Sequence, residues 1–449
     1  MKEIIRGEEW VLPYYDNNEN NNMEYKLSDY VFVEKCDDGY LLLHTITWSL
    51  FLLNEFEYEN ILKYDYFKKW FIVLDKNINE EEIAIKIYLE RATSKTPPSF
   101  TNVSIFDIYM TNNCNARCSY CYRLNDSYRE NMTEETAINI GDFIAKNTEN
   151  AYIEWLGGEP LVNAKSIDKI CETLINKNIS YHSKLVTNGL LLNDENIEKC
   201  KYLWNVKNIQ VTFDGLYETY NSIKNYTNKT VNAFETVISN IKNCLLKTDI
   251  YIDIRINISI DNLHQLERIV KYFYDNFNEW LTSRINIYYS HLFQIQNDFE
   301  KLKIIKNEAI RIKSIYPCLT FYMPENLKHD KLYKCMAETG KALGISPKGD
   351  LTLCGLSYEE HIIGHINCGI TNKSLIEEWS IKDGDNIENC VKYKCNFLPI
   401  CFHNKKCPNT TYCHNIEKKL SREEEFKERI NITYNEYKKR INQIKNGEE

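Results

Sequence analysis

Thr111-Asn112-Asn113-Cys114-Asn115-Ala116-Arg117-Cys118-Ser119-Tyr120-Cys121-Tyr122 carries three cysteines at spacing C-x3-C-x2-C. The stretch follows residues 105–110, whose β-branched and aromatic content predicts a strand. Three thiolates so spaced can wrap three irons of a cubane iron–sulfur cluster and leave one iron open to a substrate or cofactor. A zinc site is the alternative, although structural zinc takes four ligands. Three unrelated loop cysteines are the bland reading.

Working outward, five more strand-like runs follow at 152–156, 183–187, 209–213, 250–256 and 284–290. Helix-length polar and apolar stretches lie between them, among them 134–146, 165–176 and 234–246. Thr133 before Glu134 and Glu135 has the form of an N-cap with acids in the first turn. Six such repeats over residues 100–322 predict an α/β fold of βα units around a parallel sheet or a partial (β/α)6 TIM-like barrel, with its chemistry at the C-terminal strand ends. Residues 1–95 read as a small α+β module of winged-helix-like shape, three helices and three strands. Strands are expected at 30–33, 39–43 and 70–74, an apolar helix near 46–53, and a helix from the acidic run at 79–82 to about Arg91. Thr96-Pro97-Pro98-Ser99 is a linker, because consecutive prolines stop helix and sheet. Residues 333–414 are cysteine-rich, with little regular pattern, and need metal to hold together. Residues 415–449 form a charged helix, solvated or docked.

The chain has 449 residues and a net charge of −9, which argues against nucleic-acid binding, since phosphate contacts need a basic face. No run of 18 apolar residues and no signal peptide is present, so a cytoplasmic protein is expected, with no membrane partner. In a reducing compartment, 16 cysteines point to metal or catalysis rather than disulfides.

Other strand ends carry matching motifs. Trp155-Leu156-Gly157-Gly158-Glu159-Pro160 follows the second strand, Thr187-Asn188-Gly189 the third and Thr212-Phe213-Asp214-Gly215 the fourth; Arg255 lies on the fifth. With the cysteine loop, these resemble the radical SAM superfamily. The resemblance implies a 4Fe–4S cluster on Cys114, Cys118 and Cys121. It also implies S-adenosylmethionine (SAM) bound by Tyr120, Gly157, Gly158, Glu159, Pro160, Asn188, Thr212, Asp214 and Arg255. For Arg255, a salt bridge to Asp253 or Asp214 is the competing reading.

The C-terminal block reads Cys335-x13-Gly349-x4-Cys354, then Cys390-x4-Cys395-x5-Cys401-x5-Cys407-Pro408-x4-Cys413. Its opening resembles the SPASM extension, which holds two auxiliary 4Fe–4S clusters. The later spacings depart from the usual C-x2-C-x5-C-x3-C, which bears on the individual ligands. The resemblance assigns Cys335, Cys354 and Cys407 to auxiliary cluster I, and Cys390, Cys395, Cys401 and Cys413 to auxiliary cluster II. Cys318 or Cys368 is a candidate fourth ligand, or a substrate thiolate takes that iron. A zinc-ribbon-like module that adds His403 or His414 is the alternative. Cys36, Cys171, Cys200 and Cys244 read as buried small hydrophobes.

Together these features resemble maturases of ribosomally made peptides, with three 4Fe–4S clusters in all. The implied reaction cleaves SAM to a 5′-deoxyadenosyl radical, takes a hydrogen atom from a precursor peptide and forms an intramolecular cross-link, thioether or carbon-based. The peptide's leader would bind the N-terminal module by strand addition. A flavodoxin- or ferredoxin-like donor would supply electrons. An anaerobic sulfatase-maturing (formylglycine-forming) enzyme and a peptide epimerase are the alternatives. A zinc-stabilised, non-catalytic peptide binder is the alternative from another class.

Overall fold

The computed structural model describes residues 1–7, 24–93, 99–121, 123, 129–281, 283–295, 298–321, 340–354, 361–380 and 416–446. The chain divides into two compact units. One comprises residues 1–96, 323–334 and 379–449; the other comprises 97–322 and 335–378. The boundary at 96/97 falls inside the expected linker, most of which lies outside the described residues.

In the first unit, β1 (Lys2–Ile5), β2 (Tyr25–Leu27), β3 (Val31–Cys36), β4 (Gly39–His44) and β5 (Ser49–Leu53) precede the short helices α1 (Glu55–Glu59) and α2 (Asp65–Lys69). β6 (Val73–Asp75) and α3 (Glu80–Thr93) follow. The antiparallel order is β1-β5-β4-β3, with β2 and β6 paired apart. Where three strands are expected, the described residues hold six. The helix expected near 46–53 is instead a turn followed by β5. All five residues of β5 are buried, because both sheet faces are covered. Leu50 and Leu52 pack on one side; Phe51 and Leu53 pack with Phe67 and Trp70 on the other. A strand buried on both faces is a continuous apolar run, which periodicity does not separate from a helix. The expected strand at 70–74 begins only at Val73, since Trp70 still caps α2.

In the second unit, β7 (Ile105–Tyr109), β8 (Asn150–Leu156), β9 (Ser180–Thr187), β10 (Val206–Phe213), β11 (Tyr251–Ile258) and β12 (Ile285–His291) are the six expected strands. They alternate with α4 (Glu134–Asn147), α5 (Ala164–Asn176), α6 (Asp194–Tyr202), α7 (Tyr217–Lys224), α8 (Ala233–Lys247), α9 (His264–Asn276), α10 (Asn278–Leu281) and α11 (Phe299–Ile315). Thr133 caps α4 by accepting from the Thr136 amide. Neighbouring strands are parallel and in sequence order. The sheet is longer than six strands: β13 (Leu319–Phe321) adds in parallel to β12, and β14 (Ala342–Ile345) adds in parallel to β7. β15 (Asp350–Thr352), β16 (Ile362–His365) and β17 (Gly369–Ile370) extend it as an antiparallel meander, and α12 (Lys373–Ser380) follows. Part of the block expected to lack regular pattern is therefore built on the barrel sheet.

The charged C-terminal segment is one helix, α13 (Ile416–Asn446). It docks within the first unit. Ile430 and Tyr434 join the core made by Ile4, Phe32, Leu41, Leu50 and Leu52. Tyr434 and Lys438 bond Asp38, at 2.6 and 2.7 Å. Among the described residues no helix is long and apolar enough to cross a membrane.

Candidate active site at the strand ends

The cysteine loop leaves β7 and is held from two sides. On one side the amides of Gly158 and Glu159 donate to the carbonyls of Thr111 (2.8 Å) and Asn113 (2.9 Å). This approach requires glycine: a Cβ at Gly158 would lie 2.4 Å from Asn113 O, and one at Gly157 would lie 2.7 Å from Thr111 O. The two glycines thus admit the backbone of the cysteine loop itself, a tighter demand than room for a ligand. On the other side the end of α7 closes in. Arg117 N donates to Lys224 O, and Thr227 N to Asn115 O, both at 2.9 Å. Arg117 also folds back, donating to the carbonyls of Cys114 and Ala116.

Around the loop stand the motif residues. Glu159 is 1% exposed, and its carboxylate accepts from Thr187 Oγ1 (2.7 Å), Asn188 N (2.8 Å) and Leu161 N (3.2 Å). Burial raises its pKa, and these donors oppose the rise. Pro160 begins the short turn that follows, and is buried. Asn188 Nδ2 donates to Asn115 Oδ1 at 2.7 Å, tying the third strand end to the cysteine loop. The Tyr120 hydroxyl donates to Asp214 Oδ1 at 2.6 Å. Asp214 and Lys224 form an ion pair at 3.0 Å, a contact of charge rather than an aligned hydrogen bond, and Lys224 donates to Thr212 Oγ1 at 2.7 Å.

Arg255 does not take either acid named as its competing partner. Asp214 pairs with Lys224, and Asp253 accepts from Asn286. Arg255 Nη2 donates to Ser290 Oγ at 3.0 Å, and its buried Nε has no hydrogen-bond partner. The His291 pKa is lowered by burial and then by Arg255. Lys224 and Asn257 are part of this network, yet the sequence motifs did not mark them; Asn115 lies within the cysteine motif, which assigns it no role. Lys224 ends a short polar helix and reads as a surface lysine; only its burial distinguishes it.

Two of the bare thiols, Cys114 and Cys118, resist ionisation. Burial, followed by Glu159, pushes Cys114 up to about 11, and burial raises Cys118 against the opposing effect of Lys224. A positively charged iron cluster, which binds thiolate, supplies the charge such a loop lacks. Among the described residues no three His, Cys, Asp or Glu side chains are grouped to hold a metal ion. Thiols that each take a different iron of a cubane need no convergence on a single point. The donor set therefore fits a cluster on three cysteines.

Of the auxiliary set, Cys354 is half-buried just after β15, and Cys335, Cys390, Cys395, Cys401, Cys407 and Cys413 lie outside the described residues. Cys318 is half-buried and Cys368 is exposed. Cys171, Cys200 and Cys244 are fully buried, and Cys36 packs partly against the N-terminal core, consistent with their reading as small hydrophobes.

Residues 108–273 match the profile of the radical SAM superfamily. The chain carries a radical SAM domain. An enzyme of this class uses SAM and a 4Fe–4S cluster. The chain is 24% identical over 439 residues to the radical SAM cyclopropyl synthase TigE of Paramaledivibacter caminithermalis, covering 85% of this chain and 89% of that protein. It is 29% identical over 275 residues to the uncharacterised protein MJ0907 of Methanocaldococcus jannaschii, covering 58% and 87%. The fold is similar to that of anSMEcpe, solved with bound AdoMet and the Cp18Cys peptide. That likeness has a TM-score of 0.55 at 15% identity and covers 76% of this chain and 99% of that one.

Proposed function

We propose that this radical SAM enzyme is a peptide maturase that closes an intramolecular cross-link in a ribosomally made precursor. The observation that carries the peptide part is the N-terminal sheet. Among the described residues no strand pairs with the outer edges of β1 and β3, and an extended peptide adds to such an edge through its main chain. The relative that aligns along most of the chain is named a cyclopropyl synthase, which favours the carbon-based cross-link over the thioether.

Cys114, Cys118 and Cys121 would hold the 4Fe–4S cluster; the backbone at 157–160, Glu159, Asn188 and Arg255 would hold SAM. Bound there, cluster and SAM supply a one-electron cleavage that delivers an adenosyl radical. The protein's own part is to orient and to exclude water. The two backbone clamps fix the cysteine loop, Glu159 is sealed among three donors, and Arg255 keeps a donor in reserve for an anionic group. Tyr120 bonds Asp214 directly, and Lys224 joins both to Thr212, a network that would brace the cysteine loop. Cys335, Cys354 and Cys407, with Cys390, Cys395, Cys401 and Cys413, would hold two auxiliary clusters that take the second electron. A flavodoxin- or ferredoxin-like protein would deliver the first.

The test is anaerobic incubation of the enzyme with SAM, reductant and a short peptide encoded beside its gene. The expected result is a peptide lighter by two hydrogens, with 5′-deoxyadenosine formed in step. SAM cleavage with an unchanged peptide mass would overturn the cross-linking reading, and deuterium uptake would then mark epimerisation. Deletion of residues 1–95 should abolish peptide modification, whereas a sulfatase-type maturase would tolerate it.

A further inference from the structure

The Lys224 side chain is 3% exposed. An ammonium so deep is expensive to desolvate and persists only among acceptors. Three surround it: Asp214 Oδ2 at 3.0 Å, Thr212 Oγ1 at 2.7 Å and the Tyr120 hydroxyl at 3.3 Å. The Tyr120 hydroxyl in turn donates to Asp214 Oδ1 and accepts from Asn257 Nδ2 at 3.1 Å. The main chain of Lys224 engages the same loop. Its carbonyl accepts from Arg117 N at 2.9 Å, and the Cys118 thiol lies 3.8 Å away. One residue thus grips the cysteine loop twice, by its backbone at residues 117–118 and by its side chain at Tyr120. Tyr120 lies between Cys118 and Cys121, so fixing its ring fixes the segment that joins those two thiols.

Asn225, in the left-handed conformation at φ 47°, ends α7 and turns the chain so that Thr227 can meet Asn115. The ammonium is therefore anchored at the end of a helix that is itself tied to the loop. Asn257 brings β11 into the same knot, and Thr212 brings in β10. Were Lys224 only a charge partner for Asp214, neither the tyrosine nor the carbonyl contact would be needed.

We propose that Lys224 is the positioning residue of the cluster loop, its ammonium locking Tyr120 to the ends of β10 and β11. This rests on the reading that Cys114, Cys118 and Cys121 hold the SAM-binding cluster. The test uses the full-length, anaerobically reconstituted protein and four readouts: iron content, circular dichroism, SAM affinity, and the EPR difference on adding SAM to the reduced enzyme. The difference spectrum reports the cluster that SAM meets and cancels signals from any other. K224M should keep wild-type iron and circular dichroism, change the difference spectrum and bind SAM about tenfold more weakly, the scale of one lost charged hydrogen bond. K224R should restore much of both, because it keeps the positive charge and its donors. Y120F, which removes a single hydroxyl, should show the same spectral change with a smaller affinity loss, and it serves if K224M does not fold. A wild-type difference spectrum and SAM affinity in K224M, or in Y120F where K224M does not fold, would overturn the proposal. A C114A/C118A/C121A variant that retains the SAM-dependent difference would instead overturn the cluster assignment, whatever Lys224 does.

Discussion

The two sheets of this protein offer function in different places. In the barrel sheet, buried and half-buried residues alternate along a strand such as β8: Ile153 and Trp155 lie in the core, while Tyr152 and Glu154 are half-buried. Its chemistry gathers where the strands stop, in the loops at 111–121, 157–160, 187–189 and 212–215. The N-terminal sheet is apolar on both faces, with Leu41 and Leu50 on one side and Leu42 and Phe51 on the other. Helices cover both faces, so among the described residues its edges are what the proposed peptide could reach. A parallel sheet supports a site at its ends; a covered antiparallel sheet supports one at its rim.

The comparison breaks most sharply at the strand ends. A C114A/C118A/C121A variant should lose SAM cleavage completely while keeping iron held elsewhere in the chain. Retained 5′-deoxyadenosine formation, measured by chromatography, would remove the cysteine loop from the reaction. Gly158→Ala should come next. Its Cβ would press on Asn113 O, a backbone atom that yields only if the two loops part. A misplacement near 1 Å lowers turnover by about 100-fold, and the loss should appear in SAM cleavage as well as in peptide modification. Wild-type cleavage by this variant would mean the loops tolerate separation.

Legibility followed the same division. The six expected barrel strands could be read because each apolar run is short and lies between helix-length stretches, whereas β13 and β14–β17 are too short to stand out. Thr133 announced α4 in the same way. β5 could not be read: Leu50-Phe51-Leu52-Leu53 is apolar at every step because helices lie on both its faces, and no periodicity survives. Of the site, the cysteines and the glycines were visible because chemistry or sterics restricts those positions to few residue types. Lys224 and Asn257 were invisible, since a buried lysine and a surface lysine have the same letter. Their role depends on α7 returning to the cysteine loop, a contact between residues more than 100 positions apart.

The covered sheet makes its own prediction, smaller and confined to stability. Ile430 on α13 is fully buried against β-sheet residues. Ile430→Ala should destabilise the N-terminal unit by about 2–5 kcal/mol and weaken binding of the precursor peptide, leaving SAM cleavage in the absence of peptide near wild type. Hydrogen exchange of the amides in β3–β5 would report it. Faster exchange throughout the barrel strands instead would show that α13 supports more than the sheet it covers.

The finest distinction between the sheets is in pH. His44, at the end of β4, is fully buried, and burial pushes its pKa down to about 3. Its ring is neutral between Thr47 Oγ1 at 2.8 Å and Ser28 Oγ at 3.3 Å, and Ser28 in turn donates to Glu80. In the unfolded chain a histidine titrates near 6.5. Below that pH the unfolded chain takes a proton that the folded unit refuses. Stability contributed by the neutral ring is therefore intact above about pH 6.5 and declines toward pH 3, by about 1.4 kcal/mol per pH unit. Glu80 works in the opposite sense: burial raises its pKa, so the folded unit takes up that proton first and recovers stability at the acid end. The decline should thus be clearest between the histidine and carboxylate ranges. Exchange of the β4 and β5 amides should quicken from pH 6.5 to 5 after correction for the intrinsic rate, while the barrel strands change less. His44→Gln should flatten that slope, and an equal slope in this variant would assign the acid sensitivity to another group.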